Sequence, residues 1–147
     1  MTAMNEEIVI VHADAALMQQ AFALRHEVFV VEQCVPVALE IDEYDAIAVH
    51  LLARREGVAV ATLRLLPDAE RIKIGRVAVS LNLRCQGIGR RLMQRALDYA
   101  AASGFGEAIL DAQVSSMPFY RRLGFVEGGD IFDDAGIPHM RMSLRLR

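Results

Sequence analysis

Tryptophan is absent from this 147-residue chain, and cysteine occurs only at Cys34 and Cys85. Two cysteines cannot form the disulfide framework of a small secreted domain, so the core has to come from apolar packing and the chain suits a reducing compartment. Nor is there an excess of positive charge. Sixteen Lys+Arg stand against 19 Asp+Glu, a net charge of -3. A general binder of nucleic acid or of anionic membranes needs a basic surface, so neither partner is expected, although the arginines leave room for a local basic patch. No apolar run approaches the roughly 20 residues of a transmembrane helix. Residues 1–7 are polar and acidic, unlike a secretory signal, and a cytoplasmic protein is expected. Histidines and carboxylates lack ligand spacings such as His-Glu-x-x-His, so no metal is expected. Repeats, linkers and low-complexity segments are missing too.

What is present is an apolar chain with 54% hydrophobic and 24% charged residues, read as one domain over residues 1–147. Residues 8–11 read as a strand, and Asp14 as the N-cap of the helix that follows. Leu17, Ala21, Leu24, Val28 and Val31 recur at steps of four and three, which predicts one buried helix face running to about Gln33. Gln19, Gln20, Arg25 and Glu32 fall mostly elsewhere, and Pro36 stops the helix. Residues 47–54, 58–66 and 72–79 read as three antiparallel strands joined by turns at 55–57 and 67–70. A second helix starts at the glycines of 87–89, buries Ile88, Leu92, Ala96, Leu97 and Ala100, and ends at Gly104. Residues 108–112 read as a short buried strand parallel to the strand before that helix. A short helix over about 117–123 and strands over 126–132 and 140–146 follow, the last two linked by a loop at 133–138. The sum is a mixed α/β (α+β) domain: six to seven mostly antiparallel strands, one parallel pair and about four helices.

The most informative stretch is Arg84-Cys85-Gln86-Gly87-Ile88-Gly89-Arg90-Arg91, between a strand and a helix. The first N–H groups of a helix have no intrahelical partner and sit at the positive end of its dipole, which makes an anion site. Gly87 and Gly89 let an anion approach the amides closely. Arg84, Arg90 and Arg91 add forked donors. Taken alone, the stretch reads equally as a plain strand–turn–helix connection. No Lys-Ser/Thr follows the glycines and no third glycine completes a dinucleotide fingerprint, so neither of those phosphate loops is present.

Arg84-x-x-Gly87-x-Gly89 resembles the acyl-CoA pyrophosphate loop of the GNAT N-acetyltransferases, Arg/Gln-x-x-Gly-x-Gly/Ala. Some thirty residues on, Phe119-Tyr120-Arg121-Arg122-Leu123-Gly124-Phe125 resembles the family's aromatic pair before a Leu-Gly-Phe turn. Gly136-Ile137-Pro138-His139, together with Val28-Phe29-Val30-Val31-Glu32-Gln33, resembles the ElaA-like and YjcF-like bacterial branch. The resemblance covers nearly the whole chain. It implies transfer of an acetyl group from acetyl-CoA, as co-substrate, to a primary amine of a small molecule or peptide, by direct attack in a ternary complex. It also implies that the parallel strand pair splays to admit CoA.

On this resemblance the backbone of Cys85, Gln86, Gly87, Ile88, Gly89, Arg90 and Arg91, with Arg84 nearby, grips the pyrophosphate. Val77, Ala78 and Val79 run along the pantetheine, and one of their amides polarises the thioester carbonyl. Tyr120 is the general acid for the departing thiolate, since a phenol with a pKa near ~10 is protonated at neutral pH. Phe119 and Tyr120 read otherwise as core aromatics. Gln113 or Ser116 takes over a contact that many relatives give to an Asn. The base is left open among Glu40, Asp42, Glu43, Asp45, His50 and Asp111; a lone histidine such as His50 or His139 is more often a hydrogen-bonded core or edge residue. The four carboxylates of residues 40–45 either form a solvated loop or draw a cationic amine into the acceptor pocket. Two other readings stand beside this one: a catalytically silent acyl-CoA-binding module, and a site for another phosphate-bearing ligand. The oligomeric state is open between monomer and homodimer.

Overall fold

The structure, a computed structural model, describes residues 5–12 and 15–146. The expected N-cap Asp14 lies outside the described residues. In chain order the strands are β1 (Glu6–Val11), β2 (Val49–Arg55), β3 (Val58–Asp68), β4 (Arg71–Val79), β5 (Glu107–Gln113), β6 (Val126–Glu127), β7 (Phe132–Asp134) and β8 (Ile137–Arg145). The α-helices are α1 (Ala15–Arg25), α2 (Val37–Glu40), α3 (Ile88–Ala102) and α4 (Met117–Arg122). The strands form one sheet in the order β1-β2-β3-β4-β5-β8-β6, with β7 also against β8. Among the described residues only β4 and β5 pair in parallel, and every other pairing is antiparallel. The fold class is therefore the one the sequence predicts, with more strands.

Strand alternation sends successive side chains to opposite faces of the sheet. Leu51 joins Leu63, Leu65, Ile72 and Ile74 in the core under α3, where Ile88, Leu92, Met93, Ala96 and Ala100 are buried. Leu52 faces the other way and packs with Val11, Met18 and Ala21 beneath α1. The extra strand arises where a single strand was expected over residues 126–132. Gly128 and Gly129, the latter at φ +91°, interrupt the pairing after Glu127. The chain re-pairs as a tight β7–β8 hairpin whose two turn residues, Ala135 and Gly136, are both left-handed (φ +53° and +80°). That is the turn geometry that matches strand twist in two-residue hairpins.

The first helix also departs from expectation. α1 gives way after Arg25 to a π-helical segment, His26–Glu32, and Gln33 N–H donates to the Val28 carbonyl five residues back. A π-turn takes about one residue more than an α-turn, so the apolar stripe drifts. Val28 stays buried, Val31 turns out to solvent at 66% exposure, and Arg25, expected elsewhere than the buried face, is 1% exposed.

Candidate active site

β4 and β5 run side by side for four residue pairs only, from Arg71 opposite Glu107 to Ile74 opposite Leu110. Past that point they separate. On the β3 side, β4 shifts register: Thr62 faces Ala78 and Arg64 faces Gly75, so Arg76 and Val77 together oppose Leu63. This is a β-bulge, and Arg76 stands in it at φ +52°. A bulge adds twist and bends its strand, which turns residues 75–79 away from β5. The gap opens into a cleft of about 750 Å³ whose walls include Arg76, Val77, Asp111, Gln113, Ser116, Tyr120 and His139.

Beyond β4 lies the glycine loop. Gly87 is the N-cap of α3 at φ +83°, a left-handed conformation that favours glycine, and its carbonyl accepts from Arg91 N–H at 3.0 Å. No side chain caps the helix and no acidic residue lies in its first turn, so the leading amides of Ile88, Gly89 and Arg90 are open to an anion. At Gly89 a Cβ would stand 3.4 Å from both Phe119 Cζ and Val79 Cγ2. Gly89 thus packs closely against the side chains of Phe119 and Val79. The neighbouring arginines are partnered: Arg84 chelates Glu32 and donates Nε–H to the Val79 carbonyl at 3.0 Å, and Arg91 chelates Glu6 at 2.8 and 2.9 Å. Arg90 and Cys85 are exposed, the latter at φ +63°.

Tyr120 packs edge-on against Phe119 and Phe125, with ring centroids 5.0 and 6.1 Å away. The residue is 8% exposed, and burial pushes its phenol above the ordinary tyrosine range. Its hydroxyl reaches the cleft, makes no hydrogen bond among the described residues and is not sealed from solvent. A phenol so placed keeps its proton at neutral pH. The ring is thus both a core aromatic and a cleft residue. Gln113 donates to Gln33 at 2.8 Å, tying β5 to the end of the π-helical segment, and Ser116 lines the same wall.

The acidic stretch is not an open patch. Arg25 donates to Glu40 at 2.6 Å and to Asp45 at 2.7 and 3.1 Å. Arg64 donates to Asp42 at 2.6 and 2.9 Å and to Asp45 at 3.0 Å, and Arg76 reaches Asp42 at 3.2 Å. Three carboxylates thus meet three guanidiniums, and only Glu43 is left in solvent without a partner among the described residues. Burial works against the charge of Asp45. Hydrogen bonds from Arg25, the Asp42 amide and Arg64 outweigh it and hold the carboxyl at about 2. Burial likewise opposes ionisation of Asp111, but Arg141 and Lys73 hold it below the usual carboxylate range.

Of the residues named as candidate bases, Glu40 and Asp42 stand on the cleft wall paired with guanidiniums, and His50 does not. A carboxylate locked between guanidiniums is a poor proton acceptor. His50 is 1% exposed, its Nε2 lies 2.9 Å from the Asp45 carbonyl, burial lowers its pKa, and it is not part of the cleft wall. Asp45 is likewise buried behind the cleft. The structure does gather Glu40, Asp42, Val77, Asp111, Gln113, Ser116, Tyr120 and His139 around one space. What sequence reasoning missed is the arginine side of the network. The available signal was the lone arginine of the apolar run Leu63-Arg64-Leu65-Leu66; Arg25, followed by His26 and Glu27, carried no such signal. Charged residues in such positions are almost never buried unless paired.

The site combines a bulged strand splayed from its parallel neighbour, a tyrosine on the cleft wall and, farther along the chain, a helix start without a side-chain cap. The acetyltransferase (GNAT) domain family matches residues 6–146. The N-acetyltransferase YjcF of Bacillus subtilis is 38% identical over 127 residues, 85% of this chain and 90% of that protein. Among solved structures, an acyl-CoA N-acyltransferase from Pseudomonas aeruginosa superposes with a TM-score of 0.85 at 34% identity, over 95% of this chain and 99% of that one. Escherichia coli ElaA superposes with a TM-score of 0.86 at 31% identity, over 93% and 98%. The chain belongs to the GNAT acetyltransferase family, on the branch of YjcF and ElaA, and is an acyltransferase that uses an acyl-CoA donor. No helix among the described residues is long and apolar enough to cross a membrane.

Proposed function

We propose that this protein transfers an acetyl group from acetyl-CoA to a primary amine of a small molecule or peptide, by direct attack within a ternary complex. One observation carries the reading: β4 parts from β5 after Ile74 to open a cleft lined by Tyr120, and the start of α3 at Gly87, without a side-chain cap, follows that strand in the chain. In this reading the amides of residues 86–90 hold the pyrophosphate, that of Arg91 being taken by the Gly87 carbonyl. The pantetheine runs past Gly89 along Val77, Ala78 and Val79, and a backbone amide there polarises the thioester carbonyl. The amine lone pair attacks that carbon, the C–N bond forms, and the C–S bond breaks with its electron pair going to sulfur. Tyr120 gives its proton to the thiolate. Acetyl, rather than a longer acyl group, follows from the resemblance of the loop and aromatic signatures to N-acetyltransferases. One domain over residues 1–147 and a cytoplasmic location complete the proposal.

The test is a thermal-shift series across CoA thioesters, followed by a thiol-release assay against a panel of amines and peptides. A ligand at about a hundred times its Kd stabilises by about 2.7 kcal/mol, a melting shift on the order of 5–10 °C. Acetyl-CoA is expected to give that shift and to release CoA thiol only when an amine is present. No shift with any CoA thioester overturns the proposal. A shift without thiol release from any amine reduces the protein to a silent acyl-CoA-binding module.

A further inference from the structure

We infer that His139 is the general base that takes a proton from the acceptor ammonium; this rests on the acetyl-transfer reading above. β8 carries His139 directly opposite Gln113 of β5 and Phe132 of β7. Opposed residues of an antiparallel pair share a face. His139, Gln113 and Asp111 therefore lie on the sheet face away from α3, whereas Leu110, Ala112 and Met142 enter the core beneath α3 with Tyr120. The acid and the base thus reach the cleft from its two sides, one for the acyl donor and one for the acceptor.

The ring is held for the task. His139 Nδ1 lies 2.7 Å from the Ile137 carbonyl, and Phe132 stacks on it with centroids 5.8 Å apart. A carbonyl only accepts, so Nδ1 carries the hydrogen and Nε2 keeps its lone pair. Nε2 has no partner among the described residues and is not sealed from solvent, on a residue that lines the cleft. The charged and titratable groups around it are Asp111, held by Lys73 and Arg141, Asp133 and Asp134 on β7, and Tyr120 across the gap. The Asp42 carboxylate farther along the wall is committed to Arg64 and Arg76.

The step balances simply. Nε2 takes one proton from R–NH3+, leaving R–NH2 and an imidazolium that returns its proton to solvent. The amine forms the C–N bond and loses its second proton through solvent, which restores Tyr120 after the phenol has protonated the thiolate. The products are the N-acyl amine and CoA thiol.

The experiment measures kcat/KM against pH for acetyl-CoA with two acceptors whose amine pKa values differ, in native protein and in His139→Asn and His139→Ala. In native protein one ascending limb should stay in place when the acceptor is changed. His139→Asn keeps an N–H for the Ile137 carbonyl and should lose that limb, with a rate fall on the order of 10²-fold or more and an intact acetyl-CoA thermal shift. Added imidazole should restore part of the rate of His139→Ala. A native profile whose only ascending limb follows the acceptor overturns the inference without any variant. So does a His139→Asn rate within threefold of native, or a fall with the limb unchanged and no imidazole rescue, which marks a structural role. Absence of turnover in native protein with every amine is a different result and refutes the acetyl-transfer reading itself.

Discussion

Arg25→Met is the perturbation whose outcome the structure constrains best. Arg25 is 1% exposed and makes four hydrogen bonds, to Glu40 Oε1, the Glu40 carbonyl and both Asp45 oxygens. Methionine fills similar space and removes all of them. Asp45 still has Arg64 at 3.0 Å, but Glu40, 3% exposed, keeps only Arg76 at 3.9 Å. Breaking one side of a buried pair costs about 3–5 kcal/mol. Neutralising the stranded glutamate sets an independent ceiling. At pH 7 its unfolded form lies roughly 2.7 pH units above its titration point, and at about 1.36 kcal/mol each this costs about 3.7 kcal/mol. The two figures agree on a loss of about 3–4 kcal/mol and a Tm fall on the order of 10 °C. The pH dependence has a definite sign. A glutamate kept neutral in the folded variant has a raised pKa, so its penalty applies above the unfolded titration point and fades as pH falls towards it. Urea unfolding followed by circular dichroism at pH 7 and pH 4.5 should show the difference between native and variant shrinking by more than half. A loss under about 1 kcal/mol at pH 7, or one undiminished at pH 4.5, refutes the reasoning.

Three further outcomes follow from named contacts. Tyr120→Phe keeps the ring packed against Phe119 and Phe125, so steady-state rates should fall about 10²–10⁴-fold while the acetyl-CoA thermal shift persists; a kcat within threefold of native makes the ring purely structural. Gly89→Glu puts a bulky anion into the space beside Phe119 and Val79 and should abolish the thermal shift, whereas Gly89→Ala, at ordinary contact distances, should fold normally and weaken it less. Glu32→Gln frees Arg84 from its chelating carboxylate; a surface pair is worth about 0–1 kcal/mol, so calorimetry should show acyl-CoA bound up to about fivefold tighter, and weaker binding would count against Arg84 as a phosphate donor.

How much could be read in advance depended on whether the information was local. The strand–glycine–helix stretch was legible because φ at Gly87 and the open amides behind it are fixed by neighbouring residues. The face of α3 was legible because Ile88, Leu92, Ala96, Leu97 and Ala100 follow a regular α-period throughout, and all five are buried. Val31 was misplaced because periodicity assumes constant winding, and the π-turn after Arg25 breaks that assumption. Residues 133–138 read as a loop because Pro138 lacks an N–H for pairing, yet it stands opposite Asp133 beside the Ala135–Gly136 turn. That hairpin brings Phe132 onto His139, a contact that no stretch of sequence reveals. The carboxylates of residues 40–45 were misjudged for the same reason. Their partners are 15 to 36 residues away, and only the folded bulge at Arg76 brings the third guanidinium to them.

The two sets of arginines bear on function in opposite ways, and energies decide which is which. Arg84 and Arg91 are each held by one carboxylate, with side chains 33% and 45% exposed. Such pairs are screened by salt and cost little to break, so a pyrophosphate arriving at the α3 N-terminus can take either guanidinium from Glu32 or Glu6. Arg25 and Arg64 have side chains 1% and 7% exposed and each bonds more than one acidic residue. Opening either leaves a buried charge without compensation, at several kcal/mol. Ligand binding cannot draw on that network without unfolding part of α2, so it acts as a fixed wall. It holds the segment after the π-turn against the bulge of β4, through Arg76 bonding the carbonyls of Leu39 and Glu40. On the proposed function, an exchangeable pair of cations beside the α3 N-terminus and a rigid, neutralised wall along the cleft suit a site that must admit and release a large anionic substrate.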